Sequence, residues 1–171
     1  MKRSQPSGFD WLWAPLERSI RNVLDDWKPE HYRLRRDVAF QVELSLEQFM
    51  VDGHLTCPEC EEEGRKVDLF IDLPEPFAAI DVHFNGGPNW MPSSVDAEDL
   101  EKDFEHISKM TKDGKTQAGL VLIFDENFYP EMPPNFEKAS EDIAPALGFK
   151  YNRMATDKVL CHIWWICGSG Q

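Results

Sequence analysis

Gly119-Leu-Val-Leu-Ile-Phe124 is a run of six residues without a polar side chain, set between polar and charged segments. A run this short and this apolar reads as a strand covered on both faces. It is also far too short to cross a bilayer, and so is the other apolar run at 163–167. The covering layers are visible elsewhere in the chain. Residues 13–27 repeat Leu16, Ile20, Val23, Leu24 and Trp27 at helical spacing, with Pro15 in the first turn and Lys28-Pro29 as the stop. Residues 96–110 place Leu100, Phe104, Ile107 and Met110 on one side, with Ser94 or Asp96 as N-cap. A third helix is predicted over 135–147, after Pro130, Pro133 and Pro134, and ending at Gly148.

Alternation predicts further strands. In 37–44, Val38, Phe40, Val42 and Leu44 oppose Asp37, Ala39, Gln41 and Glu43. In 66–73, Val67, Leu69, Ile71 and Leu73 oppose Asp68, Phe70 and Asp72; in 77–84, Ile80, Val82 and Phe84 oppose Ala79, Asp81 and His83. A last strand is expected at 158–166. The order is helix, a run of strands, helix, strand, helix, strand, with no repeat and no linker. At 171 residues this is one α/β domain over 13–171, preceded by a tail at 1–12 and carrying a cysteine-containing insertion at about 45–64.

Composition limits the partners. The chain has 31 Asp+Glu against 18 Lys+Arg, a net charge of −13, which excludes a nucleic-acid binder held by overall positive charge. One that works through a metal or a local basic patch is still allowed. Residues 1–8 are polar and lack the apolar stretch of a secretory signal, and four cysteines are too few for a disulfide scaffold, so the expected compartment is the cytoplasm.

One constellation points to chemistry. Asp81 and His83 share a side of their strand, and Asp68 lies on the polar face of the preceding one, with twelve residues between it and Asp81. The turn at Pro74-Glu75-Pro76 makes the two strands antiparallel neighbours. Two carboxylates brought that close repel unless a cation sits between them, and paired Asp oxygens suit Mg²⁺ or Mn²⁺. Such an ion activates water and stabilises charge on a phosphodiester, with His83 able to orient or deprotonate the water. The alternative is a polar sheet face covered by a helix or loop through hydrogen bonds.

The pattern resembles the PD-(D/E)XK nuclease superfamily, with its restriction-endonuclease-like fold. The matching pieces are Glu17 on the first helix, Asp68 in Val67-Asp68-Leu69-Phe70, and Asp81-Val82-His83. Arg35-Arg36-Asp37-Val38-Ala39-Phe40 is most similar to the small very-short-patch-repair-like members. The resemblance implies a mixed β-sheet flanked by helices and a magnesium-dependent endonuclease acting on DNA, with Asp68, Asp81 and Glu17 as metal ligands. His83 stands where the family has lysine, Asp81 takes the less common alternative to Glu, and no proline precedes Asp68. In the family the lysine can migrate to the following helix, where Lys102 and Lys109 are the matching candidates.

Two other features carry expectations. His54-Leu-Thr-Cys57-Pro-Glu-Cys60 holds a CPxC turn that zinc knuckles favour, with His54 as the nearest third ligand and Cys161, His162 and Cys167 as more distant ones. Two reduced thiols in a surface loop is the plainer reading. Basic residues cluster at His31, Arg33, Arg35 and Arg36, and again at Lys109, Lys112 and Lys115, where they suit DNA phosphates or simply solvated surfaces. Trp90 suits either an unpaired base or the core. The competing functions are a metal-dependent nuclease, a nuclease-like domain that no longer cuts and serves as a binding or assembly subunit for a protein partner or second copy, and a zinc-stabilised adaptor.

Overall fold

The computed structural model describes residues 10–28, 35–49, 54–56, 60–62, 65–73, 78–86, 97–126 and 137–168. Helices α1 (Asp10–Asp25) and α2 (Arg35–Glu47) come first, then the short strands β1 (His54–Thr56), β2 (Cys60–Glu62) and β3 (Arg65–Val67). Strands β4 (Leu69–Leu73) and β5 (Ala78–Asn85) lead into α3 (Ala97–Lys112) and β6 (Ala118–Asp125). A π-type turn over Ala139–Ile143 runs into the short α4 (Ala144–Leu147), and the strands β7 (Lys150–Ala155) and β8 (Leu160–Cys167) close the fold.

Six of these strands form one sheet in the order β1-β4-β5-β6-β8-β7. β5 and β6 are parallel, and every other neighbouring pair in that sheet is antiparallel. Parallel neighbours need a crossover, and α3 supplies it. β2 and β3 pair separately as a small hairpin.

Two apolar cores lie on opposite faces of the sheet. On one, Leu16, Ile20 and Leu24 of α1 and Val38, Val42 and Leu46 of α2 pack on Ile80, Val82, Phe84, Leu120, Leu122 and Phe124. On the other, Leu100, Phe104, Ile107 and Met110 of α3 pack on Ala79, Val121, Ile123, Trp164 and Ile166. The chain is therefore a three-layer α/β domain with a mixed sheet. The apolar run at 119–124 lies in β6, whose residues are all buried, as expected of a strand covered on both sides. Trp27 closes one end of the first core. Its ring stacks on Phe124 at 5.5 Å, and its indole N–H donates to Glu126 Oε1 at 2.8 Å.

The largest correction concerns 37–44, which belongs to α2 and not to a strand. Val38, Ala39, Val42, Ser45 and Leu46 are buried at helical spacing, whereas Phe40 and Leu44 are 53% and 41% exposed. The alternating and helical patterns share Val38 and Val42, so this stretch satisfies both periods. Leu46 continues both patterns, and the burial of Ala39 and Ser45 beside Val38, Val42 and Leu46 decides for the helix, because only the 3.6-residue period brings all five to one side.

The strand predicted at 66–73 is broken at Asp68, where a bend separates β3 from β4. Val67 therefore packs in the α3-side core, whereas Leu69 and Ile71 pack in the α1/α2-side core. A single straight strand would have put all three on one face. β7 was not anticipated, because its residues are mostly exposed and lack an apolar face. The first helix starts at Asp10, three residues before its expected start. The predicted stop at Gly148 is a left-handed cap with φ of 98°, a conformation that glycine adopts without a Cβ penalty.

Gly119 brings α3 close to the sheet, since a Cβ there would collide with the Ile107 side chain and press on Thr111 Oγ1 at 3.0 Å. Gly119→Ala is expected to destabilise the protein by about 1–3 kcal/mol in urea unfolding, the usual cost of overpacking. Phe40→Ala is expected to change stability by less than about 0.5 kcal/mol, as at other exposed sites. A buried strand position would instead lose about 3–5 kcal/mol, so the same titration tests the helix assignment.

Candidate active site

The bend at Asp68 turns its carboxylate toward β5. Asp68 Oδ2 accepts the Val82 backbone N–H at 2.8 Å, and Asp81 Oδ1 accepts the Asp68 backbone N–H at 3.2 Å. These reciprocal bonds replace ladder hydrogen bonds where β4 begins. They place the two carboxylates side by side, as the antiparallel pairing of β4 with β5 requires. Two residues along β5, on the same face, His83 Nε2 lies 2.8 Å from Asp103 Oδ2 of α3. All four side chains are buried: Asp68 is 8% exposed, Asp81 0%, His83 1% and Asp103 1%.

Asp103 was not anticipated, yet it was visible in the sequence. It lies three residues after Leu100 and four before Ile107, within the inward stripe of the helix. A charged residue in an apolar stripe calls for a buried partner, and His83 is that partner. His106 is also buried on α3, at 8% exposure.

The other expected site residues are not brought to this cluster. Glu17 is on α1, whose buried residues belong to the opposite face of the sheet, so the sheet lies between it and Asp81. The lysines considered for a migrated role sit in solvent. Lys102 pairs with Glu98 at 2.8 Å and Lys109 with Asp113 at 3.2 Å, both as exposed i,i+4 bridges. Such bridges hold a side chain only weakly. Lys112 is exposed in the last turn of α3, and Arg36 is exposed on α2, in the opposite layer. Of these basic residues, Arg36 and Lys112 therefore lie on opposite sides of the sheet.

Arg33, Cys57 and Trp90 lie outside the described residues, as do the side chains of Arg35, His54 and Cys60, so the zinc knuckle falls there too. Of the more distant ligand candidates, Cys161 is fully buried on β8, and burial pushes its thiol well above its ordinary value. A thiol held protonated is a poor metal ligand. Among the described residues, no group of three or more His, Cys, Asp or Glu side chains is arranged to hold a metal ion. Within the same set, no helix is long and apolar enough to cross a membrane.

Comparison of the chain with protein-family models, curated proteins and solved structures returned no match. Its reading rests on its own geometry.

The His83–Asp103 contact ties α3 to the sheet. Asp103→Ala removes one partner of a buried polar pair and is expected to cost on the order of 1–3 kcal/mol in urea unfolding. Glu17→Ala is expected to leave that cluster and its stability contribution unchanged.

Proposed function

We propose that this chain is a nuclease-like α/β domain of the restriction-endonuclease type, which hydrolyses DNA phosphodiester bonds at the Asp68–Asp81–His83 cluster with Mg²⁺ or Mn²⁺. The observation that carries this reading is the adjacency of Asp68, at the bend before β4, and Asp81 of β5, with His83 on the same face as Asp81. The order of elements from α1 through β6 supports it, with α2 as an addition before the strands.

Each carboxylate accepts one backbone N–H in the contacts above, and a carboxylate has room for further partners on its two oxygens. That donor set suits a hard cation held by two carboxylates and completed by water, as Mg²⁺ usually is. A bound ion would supply charge stabilisation to the scissile phosphate and acidify a water. The chain's own residues do the rest. Asp68 and Asp81 provide the oxygens, and reciprocal backbone bonds hold them in place. His83 accepts a proton from the attacking water or contacts the phosphate, and Asp103 fixes its ring orientation. Lys109 and Lys112, on the helix that covers the cluster, contact flanking phosphates and contribute affinity without reading sequence.

A second reading has its own observation. Asp81 and His83 are 0% and 1% exposed, and His83 is engaged by Asp103. Such burial favours a domain that keeps the nuclease architecture as structure and acts as a binding or assembly subunit, with the −13 net charge opposing a phosphate backbone.

The test is incubation of the full chain with supercoiled plasmid and single-stranded DNA in Mg²⁺ or Mn²⁺, beside an Asp81→Asn variant. Metal-dependent cleavage lost in the variant supports the first reading. Cleavage that persists in the variant removes the site assignment. No cleavage, with no Mn²⁺ uptake by calorimetry, decides for the non-cutting subunit.

A further inference from the structure

A second polar chain runs from the core to the surface on the same face of the sheet, and the Asp68–Asp81 cluster does not use it. It begins where the parallel strands end. Asn85 of β5 and Asp125 of β6 are register partners, 4% and 0% exposed, and Asn85 Nδ2 donates to Asp125 Oδ1 at 3.0 Å. Asp125 Oδ2 faces His162 Nε2 of β8 at 3.8 Å, and the imidazole is 2% exposed. The other ring nitrogen, Nδ1, lies 2.8 Å from the Tyr151 hydroxyl. Tyr151 is on the edge strand β7 and is 46% exposed.

The hydrogen-bond roles follow from simple chemistry. The phenol of Tyr151 is raised by burial of part of its ring, an effect that Arg153 partly offsets. A phenol is an O–H at neutral pH, and with the Asp125 carboxylate, an acceptor, facing Nε2, the Tyr151 hydroxyl donates to His162 Nδ1. The imidazole then carries its own proton on Nε2, the nitrogen turned toward Asp125. A carboxylate behind an imidazole behind a hydroxyl is the arrangement that activates a nucleophile, with the base poised to take the proton during attack. The Asp125–His162 separation is longer than a hydrogen bond, and contacts of this kind tighten as positive charge develops on the ring. Arg153 shares a face of β7 with Tyr151 and is the register partner of His162, so its charge favours a developing phenolate.

We propose that Tyr151, His162 and Asp125 form a proton relay that makes the Tyr151 phenol a nucleophile toward activated acyl esters, at a site distinct from the Asp68–Asp81 cluster. Tyr151 Oη attacks the acyl carbon, and its proton passes to His162 Nδ1. The bond from that carbon to the leaving oxygen breaks, and the imidazolium returns its proton to that oxygen, so an alcohol or phenol departs. The product is a tyrosyl ester, and nothing is oxidised or reduced. Tyr151 and His162 are the catalytic residues; Asp125, held by Asn85, is a positioning residue.

The experiment treats the full chain with p-nitrophenyl acetate without divalent metal. It follows nitrophenolate release and locates acetylation by peptide mass spectrometry. The expected result is a burst approaching one equivalent, with the acetyl group on Tyr151 well ahead of Tyr32, Tyr129 and the lysines. Tyr151→Phe abolishes the burst. His162→Gln slows acetylation of Tyr151 about 100-fold, the lower end for a lost general base. Asp125→Asn lowers the maximal acetylation rate while leaving the half-saturating ester concentration unchanged, a split that a merely structural role would not produce. Circular dichroism confirms that each variant is folded, and Tyr151→Phe on the half-exposed edge strand serves if a buried variant unfolds. Acetylation spread over lysines, or Tyr151 reacting no faster than the other tyrosines, overturns the proposal.

Discussion

The parallel pairing of β5 with β6 decides where every other element goes. Both strands are buried along their whole length, so each must be covered above and below. Parallel strands cannot be joined by a tight turn, so α3 must cross one face, and the preceding helices α1 and α2 are left for the other. Gly119 lets α3 sit close against β6, with Ile107 and Thr111 occupying the space a Cβ would need. With the helices assigned, strand alternation sorts the side chains. Ile80, Val82, Phe84, Leu120, Leu122 and Phe124 face α1 and α2, whereas Asp81, His83, Asn85 and Asp125 alternate to the α3 face.

That segregation explains why the polar interior is gathered on one side. A buried charge or amide is tolerated only when it is hydrogen-bonded or paired, so polar residues on a covered face must find each other. Asp68 meets Asp81 by reciprocal backbone bonds, His83 meets Asp103 across the layer, and Asn85 meets Asp125, which meets His162. The opposite face of the sheet is chiefly aliphatic and aromatic; the polar contacts of that layer include Ser19 Oγ donating to Val42 O between α1 and α2, and Trp27 with Glu126. The high net charge therefore does not describe the interior well. Asp68, Asp81, Asp103 and Asp125 are four of the 31 acidic residues and lie inside the fold, where their neighbours govern their chemistry.

Much of the architecture was legible because its signals were unambiguous. The stripe of α3 and the alternation of β5 each fit a single period, and the apolar run of β6 is too short for a buried helix. The failures share a cause. Residues 37–44 fit two periods at once, and only packing on the sheet shows which apolar residues are buried; Phe40 and Leu44 were the ones left outside. The continuous pattern of 66–73 hid a bend at Asp68, because a change of phase leaves each half-strand alternating normally. β7 had no apolar run or clean alternation to read, since an edge strand pairs on one side only, here with β8, and most of its residues are exposed.

The chain's own residues were enough to determine an α/β domain, the central covered strand, and the shared face of Asp81 and His83, since period-two geometry is local. Tertiary structure alone decided which residues meet across elements. It joined Asp103 to His83 and Tyr151 to His162, and it put Glu17 behind the sheet. Those outcomes depend on strand order and on which face each helix covers. They are settled by the burial of whole layers at once, which no local spacing encodes.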